Sequence, residues 1–442
     1  MRKISNPYTT LPDGTLKHIN PLTGTEVWTV PSRAHRPLYN QTLKPPQPLS
    51  NPAVENYCDF CQSEYFRTPP EKARLTRTSE GRTQTLERIH PDLIDASPAL
   101  FRRVANLFEI VTIDYWMKNH GFHLSPSQSR WKETYLGNPR GLEHTLRLVE
   151  AKLMRSGKTT EQISNMAMDE KIKLADAFFG GTHDLIIAGG HFKPGAARDN
   201  DLLSSGELTP EDHYRLMRFT IDAMTDIYLQ NPYVRYVAVF QNWLQPAGAS
   251  FDHLHKQLVG LDEWGPSLQG EADIVRKNPN VYNKSIVNFS SRHNLIFAEN
   301  DFAIALSDIG RPYPTLAIYS KSRHTRPEEH TEEAIKGFSD LVHACHAAMG
   351  SQIPCNEEWS YSPRGSEIAM PWRVLIKWRT INPAGFEGGT GIHINPISPA
   401  VLRGQIVPRL IALREQKKIG KIRIAGECRL DPNPLLYGQK SG

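Results

Sequence analysis

Gly248-Ala249-Ser250-Phe251-Asp252-His253-Leu254-His255-Lys256-Gln257-Leu258-Val259-Gly260 concentrates two histidines and a glutamine beside an apolar run. Leu258-Val259 and the apolar run Tyr236-Val237-Ala238-Val239-Phe240 just upstream have the composition of neighbouring strands, which places the histidines on a strand. Side chains on a strand alternate between faces, so His253, His255 and Gln257 share one side and Leu254, Lys256 and Leu258 take the other. Two imidazoles and an amide in a row suit a phosphorus centre. A neutral imidazole, with an ordinary pKa of about 6.5, can attack phosphorus near pH 7 and later leave it. His-x-His alone also fits a surface or metal-binding pair.

With its neighbours included, Gly-Ala-Ser-x-x-His-x-His-x-Gln resembles the active-site signature of the transferase branch of the histidine-triad superfamily, the branch of the galactose-1-phosphate uridylyltransferases. Hydrolase members usually end the signature in His, so Gln257 favours transfer over hydrolysis. The resemblance implies His255 as the nucleophile that becomes nucleotidylated, Ser250 and Gln257 on the phosphate oxygens, and His253 in a zinc site. Leu254 departs from the pattern, since the uridylyltransferases commonly have proline between the histidines.

The composition is compatible with a soluble, cytoplasmic enzyme. A chain of 442 residues holds about two or three average domains. It has no apolar run long enough to span a bilayer, and Met1-Arg2-Lys3-Ile4-Ser5-Asn6-Pro7 lacks the apolar core of a secretory signal, so no membrane partner is expected. A formal charge of +5 without a basic block points to anionic small ligands rather than a nucleic-acid track. Cys58, Cys61, Cys345, Cys355 and Cys428 make an odd count, and Cys58-x-x-Cys61 reads as metal or redox chemistry rather than a disulfide framework.

Working outward toward the N-terminus, Leu22-Thr23-Gly24-Thr25 before a β-rich run predicts a hairpin over 16–31, followed by Arg33 and Arg36. The family has a similar opening, and the resemblance implies that these arginines reach phosphate or sugar in the partner's site of a homodimer. Residues 38–56, rich in Pro and Asn, predict an extended linker. Cys58-Asp59-Phe60-Cys61, with Thr68-Pro69-Pro70-Glu71 beyond it, is similar to the family's zinc knuckle, and Phe60 is expected against the base. A structural zinc takes four ligands. His253 is one further candidate, and His120, His123, His183 and His191 compete for the last place. The resemblance favours His191, while His120-x-x-His123 competes on spacing. The resemblance also implies Asn106 at the ribose and Asn242 near the phosphate.

Residues 118–178 have no counterpart in the resemblance, and apolar residues at helical spacing over 141–153 and 160–177 predict an inserted helical subdomain. Strand, His, Pro-Glu-Asp/Glu-His and long helix occur twice, at 183–217 and 316–349, which predicts a duplicated unit. The expected class is therefore α+β: two histidine-triad-like halves, 1–260 and 261–442, of antiparallel sheets flanked by helices. The second half carries Pro371-Trp372-Arg373-Val374-Leu375-Ile376-Lys377-Trp378-Arg379 where a second His-x-His would stand, so one zinc and no second metal is expected. Arg373, Lys377 and Arg379 either face phosphates or form a solvated face. The glycines of 388–391 precede the last helix as a structural turn or a close approach to a ligand. The implied activity is ping-pong nucleotidyl transfer between nucleotide sugars and sugar phosphates, with uridylyl transfer leading, an ADP-sugar or diadenosine tetraphosphate phosphorylase second, and a non-catalytic zinc scaffold third.

Overall fold

The computed structural model describes residues 7–33, 45–49 and 56–439. Its strands are β1 (Tyr8–Thr10), β2 (Leu16–Ile19), β3 (Glu26–Thr29), β4 (Glu71–Arg77), β5 (Thr83–Glu87), β6 (Ala99–Ala105), β7 (His183–Ala188), β8 (Tyr236–Trp243), β9 (His255–Leu261), β10 (Ile296–Glu299), β11 (Ala303–Ser307), β12 (Thr315–Ser320), β13 (Cys355–Ser360), β14 (Arg373–Trp378), β15 (Ile392–Ile394) and β16 (Arg423–Ile424). Helices α1 (Ile113–His120), α2 (Pro126–Gly137), α3 (Pro139–Arg155), α4 (Thr160–Ser164), α5 (Met168–Leu174) and α6 (Asp176–Gly180) lie between β6 and β7. Then come α7 (Pro210–Gln230), α8 (Pro266–Lys277), α9 (Asn288–Arg292), α10 (Glu332–Met349), α11 (Gly385–Thr390) and α12 (Pro399–Glu415). This is the expected α+β class.

The large sheet runs β16-β10-β11-β12-β14-β13-β8-β9-β7-β6-β4-β5, antiparallel throughout. Read outward from the seam between β8 and β13, the order β8-β9-β7-β6 on one side mirrors β13-β14-β12-β11 on the other. The repeated strand-to-helix pattern of the sequence thus occupies matching places in one sheet. α7 and α10, the long helices of the two repeats, pack on each other and on this sheet. Each begins at a threonine whose hydroxyl accepts a backbone N–H of the first turn, Thr209 from Asp212 and Thr331 from Ala334.

The face beneath the helices carries a buried ionic network. Lys256 of β9 donates to Glu357 of β13 at 2.5 Å, and the other Glu357 oxygen accepts from His346 of α10 at 2.7 Å. Trp359 also donates to Glu357, at 2.6 Å. Burial would raise the Glu357 carboxyl, but Lys256 and His346 hold it well below the usual carboxylate range. Both members of the ion pair are 0% exposed, so removing one strands the other in a medium that solvates it poorly. Lys256→Met is expected to cost about 3–5 kcal/mol, read as a lower urea midpoint, with Lys256→Met/Glu357→Gln recovering much of the loss.

β2 and β3 form the expected N-terminal hairpin, in a separate four-stranded sheet ordered β1-β2-β3-β15. Asn20 closes its turn by accepting from Leu22 and Thr23, and its amide donates to Ile309 of the second half at 2.8 Å. Gly310 sits there with φ +61°, and a Cβ on it would lie 1.9 Å from the Asn20 nitrogen, so only glycine fits.

Two expectations change. The active-site strand starts at His255, not earlier: Ser250 to Leu254 form a loop and bend, which frees the His253 ring from the alternation of the strand. The stretch 160–177 is not one helix but α4, α5 and the start of α6. Ser164 and Asn165 are weak helix formers that compete for the backbone, and α4 ends at them.

Candidate active site and metal centre

The bend before β9 turns His253 toward the Cys58–Cys61 loop, and the segment leaving β7 brings His191 to the same point. The ligand atoms of Cys58, Cys61, His191 and His253 all lie within 4.8 Å of one another. The two sulfurs are 3.8 Å apart, Cys58 Sγ lies 3.4 and 3.6 Å from the Nδ1 atoms of His191 and His253, and Cys61 Sγ lies 3.5 Å from His191 Nδ1. A tetrahedral zinc with bonds of about 2.3 Å to sulfur and about 2.0–2.1 Å to nitrogen needs edges of about 3.8 Å between sulfurs and about 3.5 Å between sulfur and nitrogen. The residues therefore fit the metal in spacing as well as in donor type. His253 also donates its Nε2 proton to the Ala188 carbonyl at 2.8 Å, the outer hydrogen bond that commonly orients a ligating imidazole. The hydrogen bond between the two thiols pushes the Cys61 thiol down and Cys58 up, and burial adds to the rise at Cys58.

His255 opens β9 and is 5% exposed. Its Nδ1 donates to the His253 carbonyl at 2.7 Å, which fixes the proton there and leaves Nε2 unprotonated. Burial pushes its pKa down to about 4, so the ring is neutral near pH 7. Phe60 walls it edge-on with ring centres 5.2 Å apart, and Phe251 packs on Phe60 at 4.4 Å. His255 Nε2 has no hydrogen-bond partner among the described residues.

The sheet supplies the flanks. Phe240 of β8 stands opposite Gln257 in the last pair of that ladder, and Asn242, two residues further along β8, points to the same face. Asn242 Oδ1 accepts from Asn356 Nδ2 at 2.7 Å. Gln257 Oε1 lies 3.1 Å from His183 Nε2. His183 Nδ1 accepts from the Ile110 N–H at 3.0 Å, so its proton sits on Nε2 and is donated to Gln257. Both amides thus have their oxygens occupied, and their NH2 groups meet no acceptor among the described residues. The imidazole and the two amides share one face of the sheet, Gln257 two residues along β9 from His255 and Asn242 on the neighbouring strand. Just beyond Asn242 the backbone of Leu244 is held at φ +66°, ψ 153°, a conformation costing a non-glycine residue about 1–3 kcal/mol.

A family model described as a domain of unknown function, DUF4921, matches residues 11–437. The chain belongs to the DUF4921 family. A curated relative, ADP-glucose phosphorylase of Arabidopsis thaliana, is 24% identical to this DUF4921 chain over 178 residues, 38% of the chain and 51% of the relative. The chain spans about half the length of the curated relative it matches. A crystal structure of an ADP-glucose phosphorylase from Arabidopsis thaliana with bound ADP-glucose has a TM-score of 0.56 at 17% identity, covering 89% of the DUF4921 chain and 97% of that chain. An X-ray structure of a GalT-like protein from the same plant gives 0.53 at 16% identity, covering 89% and 98%. At such identities the likeness is one of fold, and it is the fold expected of the histidine-triad transferase branch.

The remaining candidates of the DUF4921 chain divide into near and far. Ser250 is exposed on the loop before β9 and hydrogen-bonds to neither His255 nor Gln257. Phe60 is buried with Val104, Leu185 and Ile187 in an apolar cluster, which makes it the wall of the imidazole. Asn106 lies beside His183, its Nδ2 3.0 Å from His183 Nε2 and its Oδ1 accepting from the Phe108 N–H. Arg33 is exposed and lines a different depression, of about 370 Å³, with Trp378, His393 and Arg409, while Arg36 lies outside the described residues. His120 is taken by Asp262 at 2.8 Å and His123 is exposed, so neither joins the sulfurs. Arg373 is buried against Glu271 and Lys377 is paired with Glu358, while Arg379, just past the end of β14, meets no carboxylate among the described residues.

The sequence offers His183 as a candidate metal ligand, and the structure gives it to Gln257 instead. Its distance in sequence, 74 residues, hides the contact. His183→Phe frees the Gln257 amide to rotate. The expected result is a turnover about tenfold lower, the equivalent of one oriented hydrogen bond of about 1.4 kcal/mol, with metal content unchanged. Equal turnover in steady-state assays would remove His183 from the site.

Proposed function

We propose that the protein is a nucleotidyltransferase working by two displacements at His255. His255 Nε2 attacks the α-phosphorus of a nucleotide sugar, an N–P bond forms, and the P–O bond to the sugar phosphate breaks. The sugar phosphate leaves with the electron pair. An oxygen of an acceptor phosphate then attacks the same phosphorus, the N–P bond breaks, and neutral imidazole returns. Gln257 and Asn242 donate to the phosphate oxygens as charge builds on them, the kind of positioning that phosphoryl transfer chiefly needs. The arrangement that carries this reading is the proton-free Nε2 on the same sheet face as two amides whose oxygens are already occupied.

The four-ligand cluster is assigned to one structural zinc, which when bound supplies the link between the Cys58–Cys61 loop and the start of β9. With zinc bound, the Cys58–Cys61 loop would keep Phe60 against the ring, and the chemistry would stay with His255. Arg33 and Arg36 are assigned to the departing anion across a homodimer.

The sequence alone favours a UDP-sugar as donor. The curated relative supports the adenylyl branch, and we take an ADP-sugar as the donor and a phosphate as the acceptor. Incubating the protein with ADP-glucose or UDP-glucose and measuring intact mass tests both points. A gain of one AMP supports the adenylyl reading, a gain of one UMP restores the uridylyl reading, and no gain with either rejects the covalent mechanism.

A further inference from the structure

A depression of about 520 Å³ opens on the same face of the sheet as His255, one strand beyond it, toward the second half of the chain. Ala238, Phe240 and Asn242 of β8 line its near side, and Asn356 and Glu358 of β13 with Arg379 line its far side. The register places Asn356 opposite Asn242. Asn356 is therefore two strand spacings, about 10 Å, from the imidazole strand. Arg379 follows the end of β14, and its Nη1 reaches back to donate to Asn356 Oδ1 at 2.6 Å.

The charges there do not cancel. Glu358 is the one carboxylate lining the depression, and Lys377 neutralises it at 2.6 Å. Arg379 forms no ion pair among the described residues. Its guanidinium stacks on Tyr313 at 4.6 Å, and its Nε is buried without a hydrogen-bond partner. A cation held in place by stacking and one amide, beside a cavity, with no counter-ion of its own, favours an anionic ligand. The same contact organises the near side. With Asn356 Oδ1 held by Arg379, its Nδ2 is committed to Asn242 Oδ1 at 2.7 Å and to the Ala247 carbonyl at 2.8 Å. That fixes the Asn242 NH2 as a donor. The cation and the phosphorus-facing amide thus belong to one hydrogen-bonded row.

We propose that Arg379, carried by the half of the chain that lacks histidines on its strand, binds the acceptor phosphate, with Asn356 as the positioning residue between it and Asn242. This rests on the displacement at His255 described above. A fixed cation at this distance selects a phosphate dianion over water for the second displacement, and so separates transfer from hydrolysis.

The test begins with the nucleotidylated protein, made with ADP-glucose or UDP-glucose and freed of excess nucleotide, as wild type, Arg379→Gln and Arg379→Lys. Loss of the added mass is then followed by rapid quench against inorganic phosphate concentration, alongside the rate in water alone. In Arg379→Gln the half-saturating phosphate concentration is expected to rise about tenfold to a hundredfold, as for one charge-assisted hydrogen bond. The rate in water should change far less than the phosphate dependence, and Arg379→Lys should recover part of the phosphate affinity. A labelled Arg379→Gln with the wild-type phosphate dependence overturns the assignment and leaves the role of His255 intact. A change of equal size in the water rate also overturns it, since that reports a general disturbance of the site. A wild type that takes no label from either sugar overturns both.

Discussion

His255→Ala is expected to leave a folded, metal-binding protein that forms no covalent nucleotide adduct. The substitution removes a single ring from one end of β9, while the Lys256–Glu357 pair on the opposite face and the four metal-facing side chains stay in place. Gln257 and Asn242 keep their partners, so the donor can still bind. The bond-forming nitrogen alone is lost. Removing the nucleophile of a covalent mechanism typically lowers turnover by about 10⁴-fold or more, and here the intact-mass gain should vanish altogether. Circular dichroism and metal content should match wild type. A variant that still gains one nucleoside monophosphate would end the assignment of His255.

Cys61→Ser is the second large effect, and it falls on stability first. Cys61 is 1% exposed and is held by Cys58, His191 and the backbone of its own loop. Serine offers a harder, weaker ligand, and zinc bound only to the folded state contributes stability through mass action. That contribution is about 4 kcal/mol when free zinc exceeds its dissociation constant a thousandfold. The expected result is loss of one equivalent of zinc, a lower melting temperature, and activity reduced by displacement of Phe60 from His255. A chelator applied to wild type should reproduce the melting shift, and His253→Ala should match Cys61→Ser. Unchanged zinc content and melting temperature in Cys61→Ser would show that the cluster holds no structural metal.

The parts of this site that were legible in the sequence are those coded by short spacing. Cys58-x-x-Cys61 and His253-x-His255-x-Gln257 each announce their chemistry within a few residues, and the strand that carries His255 follows from its apolar neighbours. The bend at 250–254 was not legible, because strict alternation predicts both histidines on one face. In the structure they diverge, one toward the sulfurs and one toward the open side. The supporting contacts were hidden for a different reason. His183 meets Gln257 across adjacent strands, and Asn242, Asn356 and Arg379 come from β8, β13 and the segment after β14. Such contacts depend on register between distant segments, to which local pattern is blind. The reading of Arg373, Lys377 and Arg379 as equivalent alternating cations fails for the same reason, since two of the three meet carboxylates from other elements.

The seam between β8 and β13 decides how the chain can be divided. Cutting after residue 260 would strip β13 from β8 and bare the backbone of four residues, Phe240 to Trp243, as a new sheet border. An unprotected border is a template for sticking to other chains, and the ammonium of Lys256 would lose its counter-charge in the same stroke. A fragment carrying every metal ligand and the reactive histidine is thus expected to be insoluble when produced alone.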